Sequence, residues 1–258
     1  MIFGIVDASL AHAAVTIDAN ANSGNPTTGC INTTITISAS STLLLVWVGS
    51  TNQGVTVSSV KVGGTCANGN GTAATQVANA RNSNGGGSNG VVIDLWSCAV
   101  PSVCNVSGST GVAVTTSAGN SSAVVVSFLG SNGTLGTPVK GNGAAGSVTE
   151  SAVTSATGNL VVDLVEMDVF NSCPQTMTPG GSQTAYSGMS LCTANVLQLS
   201  GSSEAGAASV QPSWTFPSNI TFTYVAIDVH AAASAKLFRQ QGDLTGLGVG
   251  GPFFKGVD

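Results

Sequence analysis

A helix that faces water needs Glu, Lys, Arg or Gln along its wet side, and this chain has few to offer. Lys and Arg number 6 and Asp and Glu 11 in 258 residues, so charged side chains make up 7%. An average globular chain carries roughly 25%. Ser, Thr, Asn and Gly must therefore cover the surface, and these residues favour turns and strands over helix interiors. The 34 glycines separate short β-branched runs, which is the pattern of an all-β protein. The same scarcity narrows function. With a net charge of −5 little could neutralise a phosphate backbone, so no nucleic-acid partner is expected. Two His, two Tyr and dispersed carboxylates leave little for acid–base work, so no enzyme activity and no cofactor are expected. No window holds the 18 or more apolar residues of a spanning helix. The longest candidate, Thr42 to Val48, is strand-sized.

Apolar periodicity marks about ten strands. Thr33 to Ser38 alternates, with Ile35 and Ile37 on one face. Thr42 to Gly49 is a continuous apolar run, as in a strand buried on both faces. Gly90 to Ser97, Ser122 to Leu129 and Asn219 to Val229 follow, and Asn159 to Phe170 is the longest run. No segment carries a 3.6-residue period. The expected fold is all-β, a two-layer antiparallel β-sandwich of jelly-roll-like form. One domain spans residues 14–232, between an N-terminal arm at 1–13 and a Gly-rich C-terminal assembly arm at 233–258. Met1 to Ala14 ends in a small-x-small triplet, Ala11-His12-Ala13. It lacks an early Lys or Arg, and Asp7 and His12 interrupt it, so no leader is expected there.

The six cysteines are Cys30, Cys66, Cys98, Cys104, Cys173 and Cys192. Each lies beside turn residues, and no pair has zinc-ligand spacing. Loop placement favours bridges over buried thiols. The preferred pairing is local, Cys30–Cys66, Cys98–Cys104 and Cys173–Cys192, with six reduced thiols as the alternative. Bridges imply assembly or residence outside a reducing cytosol.

Several motifs could carry chemistry. Gly141–Gly146 and Gly246–Gly251 match G-x-G-x-x-G, but neither has the following helix that a dinucleotide site needs. Gly86 to Gly90 matches the nucleophile elbow, but it precedes a strand inside a loop. Asp163, Glu166 and Asp168 form the one carboxylate cluster, with Glu166 and Asp168 on one strand face and Asp163 opposite. No calcium loop accompanies them, so a polar strand end is expected and no metal. Asp228 and His230 share a strand face and read as a structural pair. Trp47, Trp96 and Trp214 lie in strands and read as core. The tail from Lys236 to Asp258 is too rich in Gly to order itself. Its Phe238, Phe253 and Phe254, with Phe3 at the other end, read as assembly anchors.

The order of these segments carries a resemblance. It starts with Ser40–Val48, then Val57–Gly64, Val92–Trp96, Ala123–Phe128 and Thr154–Val162, and it closes with the Trp214 strand and Tyr224–Val229. This order resembles a widespread family of jelly-roll-like β-sandwich domains found in tailed-phage virion structural proteins and in secreted bacterial proteins. The resemblance implies a non-enzymatic virion structural protein, most aptly a capsid-decoration or head-surface protein that docks through its termini. Its partners would be other virion subunits, capsid or tail proteins, and copies of itself in a homo-oligomer at the virion surface. The alternative is a secreted or cell-surface carbohydrate-binding or adhesion sandwich. Its partner would be a host-surface glycan held by loops near Trp96 and between Cys173 and Cys192. A third reading is a hydrolase with Glu166 and Asp168 as its pair. Alkylation of the unfolded, unreduced chain is expected to label none of the six cysteines. Labelling of four or more would contradict three bridges.

Overall fold

The computed structural model describes residues 14–24, 29–85, 90–117, 120–168, 175–186, 191–193 and 197–233. Among them are eighteen strands and no helix. In chain order the first seven are β1 (Thr16–Asn22), β2 (Cys30–Ile37), β3 (Ser41–Ser50), β4 (Val57–Val62), β5 (Thr72–Ala73), β6 (Thr75–Gln76) and β7 (Asn82–Asn84). Then come β8 (Val91–Ala99), β9 (Gly108–Thr116), β10 (Ser121–Leu129), β11 (Ser131–Leu135), β12 (Val139–Thr149) and β13 (Leu160–Asp168). The last are β14 (Thr178–Pro179), β15 (Thr184–Ala185), β16 (Leu191–Thr193), β17 (Leu197–Ala205) and β18 (Ser213–Ala231). The arms with Phe3, Phe238, Phe253 and Phe254, and also Cys173 and the Cys192 side chain, lie outside the described residues.

The strands form antiparallel sheets packed face to face, the expected β-sandwich. A central sheet runs β1-β10-β3-β8, with β6 and β7 both on β8. One flanking sheet runs β2-β9-β4-β5. The other is built on β18, with β11 and β12 along one side and β13, β17 and β15 in order on the other. The sandwich thus has two apolar layers between three sheets. The sequence of β3 explains why. Leu43, Leu45 and Trp47 face one layer, together with Val124, Val126 and Phe128 of β10 and Leu164, Val225 and Ile227 of the β18 sheet. Leu44, Val46 and Val48 face the other, with Ile31, Ile35, Val60, Val112 and Val114 of the β2 sheet. A strand with no wet face needs no polar alternation, and β3 has none.

The disulfides lie on the β2 side. Cys30–Cys66 ties the start of β2 to the loop after β4, across 36 residues. Cys98–Cys104 closes the loop after β8. Closing the longer loop contributes about 2–4 kcal/mol by constraining the unfolded chain. Both pairings follow the local pattern read from the sequence.

Asparagines stitch the central sheet to the β18 sheet. Asn82 Nδ2 donates to Gly141 O at 2.7 Å and to Thr223 Oγ1 at 2.9 Å. Two residues on, Asn84 Nδ2 donates to Gly143 O at 2.6 Å and to Phe222 O at 3.0 Å. Gly141 to Gly146 therefore belongs to strand β12, and ring atoms of Tyr224 and Phe222 occupy the space a Cβ at Gly141 or Gly143 would take.

The longest strand is β18, not the Asn159–Phe170 run. It merges two short runs through Pro217, and four residues, Phe216 to Asn219, bulge out opposite Gly146. A bulge is where a strand tolerates the missing proline N–H.

Leu44 and Leu45 are both wholly buried, in opposite layers. Leu44→Ala and Leu45→Ala should each lower the unfolding free energy by about 2–5 kcal/mol. A near-neutral result for either one in urea melts would show that one of the two layers is not packed.

Candidate functional site

Polar chemistry concentrates in the β18 sheet, at three places. The first is its outer face. Asp163 on β13 stands opposite Ser202 on β17. It accepts hydrogen bonds from Ser202 Oγ and from Trp214 Nε1. Gln183, just before β15, donates Nε2–H to Ser202 Oγ at 2.6 Å. Its own carboxamide oxygen accepts the N–H of Gly180 at 3.0 Å and of Ser213 at 2.8 Å. Glu150, in the segment after β12, completes the group and is wholly buried, and Asp163 is nearly so. Burial pushes the Asp163 carboxyl up to about 6, with the Ser202 and Trp214 hydrogen bonds opposing the rise. Burial, and then the Asp163 charge, hold Glu150 well above the usual carboxylate range. The pair thus sorts into a protonated Glu150 and an ionisable Asp163, two carboxyls separated by environment.

The second place is the layer between the β18 sheet and the central sheet. Glu166 points there, away from Asp163, as the strand period requires. It is wholly buried, and its carboxyl carbon would lie 3.2 Å from a Cβ at Gly49. Burial raises it well above the ordinary range, and the charges of Asp94 and Asp168 add to the rise. The described cations are all engaged elsewhere. Arg81 pairs with Asp94, Lys61 donates to Gly69 O and Lys140 to Arg81 O. Glu166 and Asp168 share a strand face, and Glu166 is sealed between the sheets.

The third place is an open cleft of about 410 Å³, lined among others by Asn132, Thr154, Ser155, Thr157 and His230. Asp228 lies beneath it. Ser155 Oγ and Asn159 Nδ2 each donate to Asp228 at 2.6 Å, and His230 Nε2 lies 3.2 Å from its Oδ2. Thr134 Oγ1 lies 3.0 Å from His230 Nδ1. These contacts outline a Thr–His–Asp relay, but the donors run the wrong way. Asn132 Oδ1 accepts the Thr134 N–H at 2.8 Å, and the Thr134 hydroxyl gives its single proton to the same atom at 2.6 Å. Thr134 therefore faces His230 as an acceptor, which is not how a base activates a nucleophile.

Trp47 and Trp214 are wholly buried. Trp96 is half-buried against the β2-side layer. No cluster of three or more metal-ligating side chains occurs among the described residues, and no helix there is long and apolar enough to cross a membrane. Sequence reading missed Glu150, Gln183 and Ser202. Nothing local marks them, because they meet Asp163 only through strand register. No protein family, curated protein or solved structure matches the chain.

The buried carboxyls set the direction of pH dependence. A carboxyl with a raised folded-state pKa favours folding below its unfolded value, near 4, and loses that contribution as pH rises through the folded value. Stability should therefore be greatest in acid. It should fall from about pH 4 toward pH 6 as Asp163 ionises and fall further as Glu150 and Glu166 follow. Urea titrations at several pH values test this. Glu166→Gln should flatten part of the slope, and a rise in stability from acid to mildly alkaline pH would sink the account.

Proposed function

We propose that this chain is a non-enzymatic structural subunit of a surface assembly, a capsid-decoration or head-surface protein of a tailed phage that docks through its terminal arms. The observation that carries this reading is the inward placement of charge. Asp94, Glu150, Asp163, Glu166 and Asp228 are all buried, so few ionisable groups face solvent. An ion-poor surface of Ser, Thr, Asn and Gly lets copies and neighbours pack closely without like-charge repulsion, and the contacts vary little with salt. The disulfides fit a particle outside a reducing cytosol. The sandwich acts as a rigid projecting body, and Phe3, Phe238, Phe253 and Phe254 supply apolar anchors on the arms. Burying Phe253 and Phe254 against a neighbour would remove about 300–400 Å² from water. That is on the order of 8–10 kcal/mol before ordering costs, which consume much of it.

The open cleft favours a second reading, an adhesion module that holds a glycan on its Ser, Thr and Asn side chains. One experiment separates the two. A chain ending at Ala233 should keep its β-sheet circular dichroism and thermal transition but no longer bind its particle or oligomerise. Assembly as good as that of the full chain, or failure to fold at all, refutes the arm reading. Retained glycan binding by the shortened monomer supports the adhesion module.

A further inference from the structure

The outer face of the β18 sheet brings a hydroxyl, a carboxylate and a carboxamide together in the order an acyl transfer needs. Ser202 Oγ–H donates to Asp163 Oδ1, so a base already holds the proton of a nucleophile. Gln183 Nε2–H donates to the same Oγ at 2.6 Å; the carboxamide carbon is one bond beyond the nitrogen, and a turn of the amide about Cγ–Cδ brings its π face toward Oγ. The carboxamide oxygen accepts the Ser213 N–H at 2.8 Å and, at 3.0 Å, the Gly180 N–H, which it shares with the Ser213 carbonyl at 2.9 Å. Two backbone donors on one carbonyl oxygen form an oxyanion hole. They also fix which end of the amide is oxygen and which is nitrogen. Ser202, Asp163, Glu150 and Trp214 are all buried to within 1% of full coverage, so bulk water does not compete with the hydroxyl.

We propose that Ser202 and Gln183 join in an intramolecular ester, formed by the folded chain on itself. Asp163 takes the Ser202 Oγ proton as Oγ bonds to Gln183 Cδ. The negative charge that develops on Oε1 is held by the Gly180 and Ser213 N–H groups. The Cδ–Nε2 bond then breaks, and the nitrogen leaves as ammonia, with its own two hydrogens and the proton returned through Asp163. One hydroxyl and one carboxamide become one ester and one ammonia, with no oxidant, reductant or other reactant. Trp214 Nε1–H occupies Asp163 Oδ2, which leaves Oδ1 turned to Ser202. Trp214 is thus a positioning residue. Glu150, held neutral beside Asp163, limits the cluster to a single negative charge, the one the reaction uses.

The bond would tie the turn at Gln183 to β17, closing a loop of 19 residues that carries β15 and β16. Cys30–Cys66 gives the β2 sheet a covalent staple, and the ester would give the opposite sheet one that reducing agents leave intact. This inference stands apart from the proposed assembly role.

The intact mass of the purified, fully reduced full-length chain tests it. The expected mass is one ammonia, about 17 Da, below that of the sequence. Proteolysis should yield the Gln183 and Ser202 peptides as one linked species, which alkaline hydroxylamine separates. Ser202→Ala should show its full calculated mass, and Ser202→Thr, which keeps the hydroxyl, should retain the loss. An unmodified wild-type mass overturns the proposal. So does an ammonia loss that maps to an Asn-Gly succinimide, or a gain of about 1 Da from hydrolysis of Gln183 to Glu. The deciding measurement is made on the wild-type chain, so it does not depend on whether any variant folds.

Discussion

The central sheet is covered on both faces, and the rest of the structure depends on that. Along β3 successive side chains enter opposite apolar layers. In a one-sided sheet the alternation of polar and apolar residues fixes strand register, because a slip of one residue exposes the core face. A strand that is apolar on both sides loses that safeguard. Here polar pins take its place at the ends of the central strands. Ser50 and Ser121 share a hydrogen bond at 2.6 Å, and Ser41 Oγ donates to Phe128 O at 3.1 Å. Within β8, Asp94 is a further polar pin, held by Arg81 and Gln76.

The two sides of the central sheet are secured by different chemistry. The β2 side relies on aliphatic packing and two disulfides. The β18 side relies on buried carboxyls, hydroxyls and amides, with aromatic rings outside them. Glu150, Asp163 and Glu166, sunk on that side, are costly to ionise, so that side depends on proton occupancy where the other depends on oxidation. The ion-poor exterior is the counterpart of this arrangement, because the carboxylates that would have made the surface acidic are inside.

Much of the fold was legible in the sequence. The charge scarcity excluded helices, and the run Thr42 to Val48 announced double burial; about ten strands with Gly, Asn and Ser turns led to two packed sheets, and three are present. The local disulfides Cys30–Cys66 and Cys98–Cys104 were legible because each cysteine flanks a turn. β12 was not, because its glycines and alanines carry no strand signal of their own. They become a strand only because Tyr224 and Phe222 cover them. The joining of two runs into β18 through Pro217 was hidden for a similar reason, since it takes a bulge of β18 against β12. The Asp163 group was least visible. Its members come from five separate stretches, and only the pairing of β13 with β17 sets Ser202 against Asp163.

The asparagine stitch has a consequence of its own. Asn82 and Asn84 are two residues apart, as are the carbonyls of Gly141 and Gly143 that receive them. Moving β7 by one residue would turn both amides to the wrong face, and moving it by two would leave a rung empty. The pair therefore works as an index mark that admits one alignment of the central sheet on its neighbour. A carboxamide neither titrates nor responds to salt or thiols, so the alignment persists under conditions that strip a proton or break a disulfide. Whatever loosens either flank, the layers have one position to which they return.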